Sequence, residues 1–183
     1  MNKKLKRIIL IIVIFGGLGW LMMGMPPHPR VGYAPEQPFN YNHKIHAGDY
    51  KIDCQYCHTG VTTGRKAGVP SLNICLNCHA SGAGQDKEQV MKLVEEFADE
   101  GVRPQWTRIH NLPDHVRFSH APHIAKFSKE GEPTKEVCKL CHGDIASMDV
   151  VEQVKTMNMG FCVTCHKENK DNGAMLNCST CHY

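Results

Sequence analysis

Cys54-Gln55-Tyr56-Cys57-His58 is the stretch on which the reading of this chain turns, because its pattern occurs four more times. The others are Cys75-Leu76-Asn77-Cys78-His79, Cys138-Lys139-Leu140-Cys141-His142, Cys162-Val163-Thr164-Cys165-His166 and Cys178-Ser179-Thr180-Cys181-His182. All ten cysteines fall in these motifs. A Cys-x-x-Cys-His run attaches a c-type haem, its two thiols adding to the two vinyl groups while the histidine turns its imidazole onto the iron. The pattern therefore predicts five covalently bound haems, with His58, His79, His142, His166 and His182 as iron ligands. Cys-x-x-Cys is also half of a zinc ribbon, but a zinc site has no use for a histidine directly after the second cysteine five times over. The same regularity argues against a disulfide framework.

Setting aside the first 25 residues leaves roughly 32 residues per motif, too few to bury each haem in a conventional core. The porphyrins themselves become the apolar interior, wrapped by short helices and loops. The expected class is mainly α with extensive irregular loops, and no strand pattern of useful length is present. Aromatic residues make up only 7% of the chain. The formal charge of +3 is outweighed by the haem propionates, so it points to no nucleic-acid partner. Glu95, Glu96, Asp99 and Glu100 read as a solvated helix face, and no catalytic acid–base pair or nucleophile stands out.

Lys3, Lys4, Lys6 and Arg7 precede Ile8 to Met25, eighteen residues without a charge. At 1.5 Å per residue that run spans roughly 27 Å, close to the hydrocarbon thickness of a bilayer. Large side chains and prolines follow it where a signal-peptide cleavage site would need small residues. Residues 1–25 are thus expected to be a basic flank and an uncleaved single-pass anchor. Its positive end lies in the cytoplasm and the haem domain on the periplasmic or outer face. Residues 26–38 hold five prolines and read as an extended tether, with His28 a solvated histidine inside it.

Beyond the tether the chain is roughly duplicated. Phe39-Asn40-Tyr41-Asn42-His43-Lys44-Ile45-His46 precedes the motifs at Cys54 and Cys75. Phe118-Ser119-His120-Ala121-Pro122-His123 precedes those at Cys138 and Cys162, with the motif at Cys178 appended. Residues 39–105 form a first module with two haems, and 106–183 a second with three. Helices are expected over 85–101, capped by Asp86 and ended by Gly101, and over 147–156, where Val150, Val151 and Val154 share one side. Because each His-x-x-His precedes two motifs, His43, His46, His120 and His123 are the expected second ligands of four irons. For the fifth, His110 is favoured and Met159 is the alternative, with Met157 a further candidate. His115 is read as lying behind a ligand, and Asp114 as orienting a histidine or a propionate.

These histidine pairs ahead of Cys-x-x-Cys-His motifs resemble the multihaem cytochromes of the c7 and c3 class. Lys66-Ala67-Gly68-Val69-Pro70-Ser71-Leu72-Asn73-Ile74-Cys75, Arg108-Ile109-His110-Asn111-Leu112-Pro113-Asp114, Met159-Gly160-Phe161-Cys162 and the run from Cys178 to Tyr183 resemble, in that order, the pentahaem cytochrome subunit of alternative complex III. That resemblance implies an electron-transfer subunit of a bacterial quinol-oxidising membrane complex. Its partners would be an integral-membrane quinol-binding subunit, an iron–sulfur subunit, and a cytochrome c, copper protein or terminal oxidase as acceptor. A related complex reduces menaquinone through a similar subunit, so the direction of flow stays open. So does a stand-alone membrane-anchored quinol dehydrogenase. A multihaem reductase would need an iron with an open position, which a complete set of second ligands denies it.

Overall fold

The computed structural model of the chain describes residues 2–24 and 30–182, without the side chains of Lys3 and residues 18–24. His28 lies outside the described residues. Helix α1, Lys3–Gly24, is followed by seven short helices: α2 (Cys54–Cys57), α3 (Leu72–His79), α4 (Glu88–Lys92), α5 (His120–Phe127), α6 (Thr134–His142), α7 (Met159–Glu168) and α8 (Cys178–Cys181). Among the described residues there is no sheet, only an isolated antiparallel bridge between Val116 and His182. Among the described residues, five of the eight helices carry a Cys-x-x-Cys pair, because one helical turn brings residues three apart to the same face.

Little of this is held together by a core. Among the described residues only Phe39, Val61, Leu93 and Ile124 are buried apolar side chains, and the accessible surface is 13416 Å². A compact monomer of 20.5 kDa would expose roughly 8,900 Å². Helix α1, whose side chains from Ile8 to Phe15 are all exposed, accounts for part of the excess. A continuous cavity of about 2380 Å³ among the motif helices opens further surface.

The packing that does exist joins the two duplicated stretches. Phe39 meets Phe97 at 5.6 Å and Trp106 edge-on at 4.9 Å between ring centroids. Gln37 and Thr107 exchange two hydrogen bonds of 3.0 Å. The π-helical turn Lys44–Asp49 packs on the 3₁₀ turn Ile145–Ser147, and a Cβ at Gly48 would run into the backbone carbonyl oxygen of Ala146. A carbonyl fixed in a turn cannot swing aside as a side-chain tip could. Gly48→Ala is accordingly expected to cost about 1–3 kcal/mol, measured as a lower guanidinium midpoint, with Gly68→Ala as a control for backbone strain alone.

Two expected helices come out differently. The 85–101 helix starts at Glu88, continues as π-helical turns over Leu93–Asp99, and ends at Gly101, whose φ is +67°. Asp86 does not cap it, because its carboxylate is held by Lys87 at 2.8 Å. The 147–156 helix does not form. The Met148 carbonyl accepts from the Lys44 amide at 3.1 Å, and Gln153 exchanges backbone hydrogen bonds with Gly32 and Tyr33. Backbone groups committed to the tether are unavailable to a helix, and the β-branched Val150 and Val151 favour extended backbone. Among the described residues no helix is long and apolar enough to cross a membrane. The single-pass expectation rests on Ile8 to Met25, of which the side chains of residues 18–25 lie outside those described.

Candidate haem sites

Three of the motif histidines leave the last turn of their helices with a defined orientation. The Asp53 carboxylate caps α2 by accepting from the Gln55 amide at 2.8 Å, and Asn158 caps α7 through the Phe161 amide at 2.8 Å. His58 Nδ1 donates to the Gly68 carbonyl, His79 Nδ1 to Ala83 and His166 Nδ1 to Met175, each at 2.7 Å. A carbonyl only accepts, so Nδ1 carries the proton and Nε2 presents its lone pair, the tautomer a metal needs. The loops after these motifs therefore do local work: Lys66–Cys75 delivers the Gly68 carbonyl to His58.

The second histidine of each pair is built alike in both stretches, while the first differs, His43 Nδ1 being buried without a hydrogen-bond partner among the described residues. His46 Nδ1 donates to the Asn42 carbonyl at 2.8 Å and His123 Nδ1 to the equivalent Ser119 carbonyl at 2.7 Å. His120 Nδ1 donates to the Arg65 carbonyl at 2.8 Å. Tyr41 lies 4.7 Å from the His43 ring and 4.5 Å from that of His46, as Phe118 lies 4.9 Å from His120 and 4.7 Å from His123. The true register of the duplication is thus Tyr41 with Phe118, while Phe39 belongs to the small core.

Every motif histidine faces one histidine from outside the motifs. His43 is 6.5 Å from His58 with rings 2° from parallel, and His46 is 6.0 Å from His79. His120 is 6.3 Å from His142 at 8°, and His123 is 6.1 Å from His166. The ring opposite His182 is that of His115, at 5.6 Å and 19°. His110, expected in that role, lies instead against the other side of His142, with Nε2 3.3 Å from His142 Nδ1. Met159 is exposed at the start of α7. His115 is brought to His182 by non-local backbone contacts, the Val116–His182 bridge and the Arg117 amide donating to the Cys181 carbonyl at 2.6 Å.

These gaps fit a metal held between two imidazoles. With metal–nitrogen bonds of about 2 Å on opposite faces, two ring centroids stand roughly 6 Å apart. Seven of the ten motif cysteines, Cys54, Cys57, Cys75, Cys78, Cys138, Cys141 and Cys165, line the cavity that an apolar macrocycle would fill. Burial, followed by the neighbouring imidazoles, pushes His43 down to about 4 and His142 down to about 3, so both rings are neutral and ready to bind metal. Among the described residues no three His, Cys, Asp or Glu side chains converge as a zinc cage would.

The thiols also reveal which motifs are neighbours. The Cys54 thiol lies beside that of Cys138, which pulls Cys54 down to about 7 and pushes Cys138 up. Burial and then the nearby thiol of Cys75 raise Cys57, while burial and then Cys165 and Cys162 raise Cys141. Cys162 is raised by burial and then by Cys181. Side chains tie the same neighbours together: Gln55 Nε2 donates to Thr134 Oγ1 at 2.9 Å, and Asn77 Nδ2 to the Tyr56 hydroxyl at 3.0 Å. The spatial order is the second motif, then the first, third, fourth and fifth. Cys78 and Cys178, in the two end motifs, are the exposed cysteines of the ten.

A family model described as cytochrome c7 and related cytochrome c matches residues 116–183. The chain is also 31% identical over 178 residues to the menaquinone reductase, multihaem cytochrome c subunit, of Nitratidesulfovibrio vulgaris, covering 88% of this chain and 84% of that protein.

Proposed function

The chain belongs to the multihaem cytochrome c family of that reductase subunit, and on this premise we propose that it is an electron-relay subunit carrying five c-type haems. The thioether cysteines are the ten motif cysteines. The iron ligands are His58 with His43, His79 with His46, His142 with His120, His166 with His123, and His182 with His115. The observation that carries this reading is the set of five facing imidazole pairs, 5.6–6.5 Å apart. A histidine on each side leaves no open position for substrate, so the subunit exchanges electrons and performs no chemistry of its own. When bound, each haem supplies one-electron exchange at its iron. The chain contributes ligand orientation, exclusion of water and the order of the sites, with the motifs of His79 and His182 at the two ends.

The subunit serves a membrane complex working on the quinone pool, with an integral-membrane quinone-binding partner, an iron–sulfur subunit and a further cytochrome c, copper protein or oxidase. The relative's name supports flow toward menaquinone. The segments resembling the alternative complex III subunit support a second reading, flow from quinol. The basic flank of Lys3, Lys4, Lys6 and Arg7 ahead of the uncharged run Ile8 to Met25 supports attachment to the cytoplasmic membrane, the basic end inside and the haem sites on the outer face. In the native complex, turnover with reduced cytochrome and a menaquinone analogue is expected in the first direction, and with a quinol analogue and oxidised cytochrome in the second. The isolated chain is expected to respond to neither. Haem reduction by a quinol analogue in the isolated chain would make it a quinol dehydrogenase in its own right and overturn the relay assignment.

A further inference from the structure

His142 differs from its counterparts in what stands behind it. The Nδ1 atoms of His58, His79 and His166 each find a carbonyl in the loop that follows their own motif. After His142 the chain turns through Gly143 at φ +75°, and the Gly143 carbonyl is already taken by the Ile145 amide at 2.9 Å. A side chain from a distant segment fills the place. His110 presents Nε2 3.3 Å from His142 Nδ1, with the two rings 4.3 Å apart and 82° from parallel. That perpendicular approach sets the N–H edge of one imidazole against the other ring.

The segment bearing His110 is held independently of His142. Trp106 is anchored on Phe39, Thr107 is locked by the Gln37 amide, and Arg108 Nη1 donates to Asn111 Oδ1 at 3.1 Å. His110 is therefore not a loose side chain that happens to touch a neighbour. On the far side of the gap His120 has its own acceptor in the Arg65 carbonyl, so both rings of this pair are buttressed from behind and lie 8° from parallel.

We propose that His110 is a positioning residue of the central haem site, accepting the Nδ1 proton of His142 and thereby fixing the plane and tautomer of that ligand. The proposal rests on the reading of His142 as a haem ligand. An acceptor at Nδ1 raises the electron donation of a ligating imidazole. The third site, with two sites on either side of it in space, thus has its properties set by a side chain, where the sites of His58, His79 and His166 are set by backbone.

The test uses the full holoprotein. In His110→Ala, five covalent, low-spin haems are expected to remain, while the midpoint potential of one haem moves upward and its low-spin EPR signal shifts, the other four unchanged. In His110→Gln, whose amide oxygen can accept the same proton, potential and EPR signal return toward those of the parent. A high-spin haem in His110→Ala overturns the proposal by making His110 a ligand. Unchanged potentials and EPR signals in both variants overturn it as well. Failure of the underlying haem reading shows separately, as fewer than five covalent haems by intact mass in the parent protein.

Discussion

His115→Ala is expected to turn one haem in five from low-spin to high-spin while all five stay covalently attached. The covalent links run through Cys178 and Cys181 and the opposite ligand is His182, none of which is altered. What disappears is the ring facing His182 at 5.6 Å. With no second histidine the iron becomes five-coordinate or takes up water, and the reduced protein acquires one carbon monoxide site without denaturant. His115 is exposed and sits in a segment tied down by its own backbone, so the fold has little reason to fail. His110→Ala and Met159→Ala are expected to leave every haem low-spin. An unchanged spectrum in His115→Ala removes it from the ligand set, and a high-spin signal in either other variant identifies the actual ligand.

The contrast between His110 and His115 marks where sequence reading stopped. The motifs and the two His-x-x-His pairs are local patterns: a turn of helix brings the cysteines together, and residues three apart share a face. Both survive any arrangement of the rest. The partner of His182 depends on Arg117 meeting Cys181 and Val116 pairing with His182, contacts between segments more than sixty residues apart that leave no periodicity behind. The duplication was legible, but its register was not, because Phe39 and Tyr41 are both aromatic and only the ring contacts tell which matches Phe118. Valines at helical spacing suggested a helix over 147–156, yet the backbone there is engaged by the tether and the distal-histidine turn. The shortage of core, by contrast, follows from composition alone and reappears in the structure as four buried apolar side chains among the described residues.

Removing the central haem is expected to cut the relay in two. Because Cys54 lies beside Cys138 while Cys141 lies near Cys165 and Cys162, the third motif joins the first two motifs to the last two. Replacing Cys138 and Cys141 together by alanine therefore leaves four haems as two separated pairs. Electrons delivered at one end by a pulse of reductant confined to that end should equilibrate rapidly over two haems only, and turnover of the native complex should fall to that of a complex lacking the subunit. Removing the second motif through Cys75 and Cys78 is a different case, since it shortens the row from its end and leaves four haems still in contact. A chain ordered as the sequence runs would behave otherwise: loss of the second motif would then isolate the first, and four-haem equilibration would be lost in that variant too. Since the cavity depends on what fills it, His120→Met provides the milder variant. It keeps the haem, raises the potential of the central site and is expected to slow passage without dividing the row. Fast equilibration over all four remaining haems in the Cys138/Cys141 variant would show that electrons bypass the third site and would overturn the order read from the thiols.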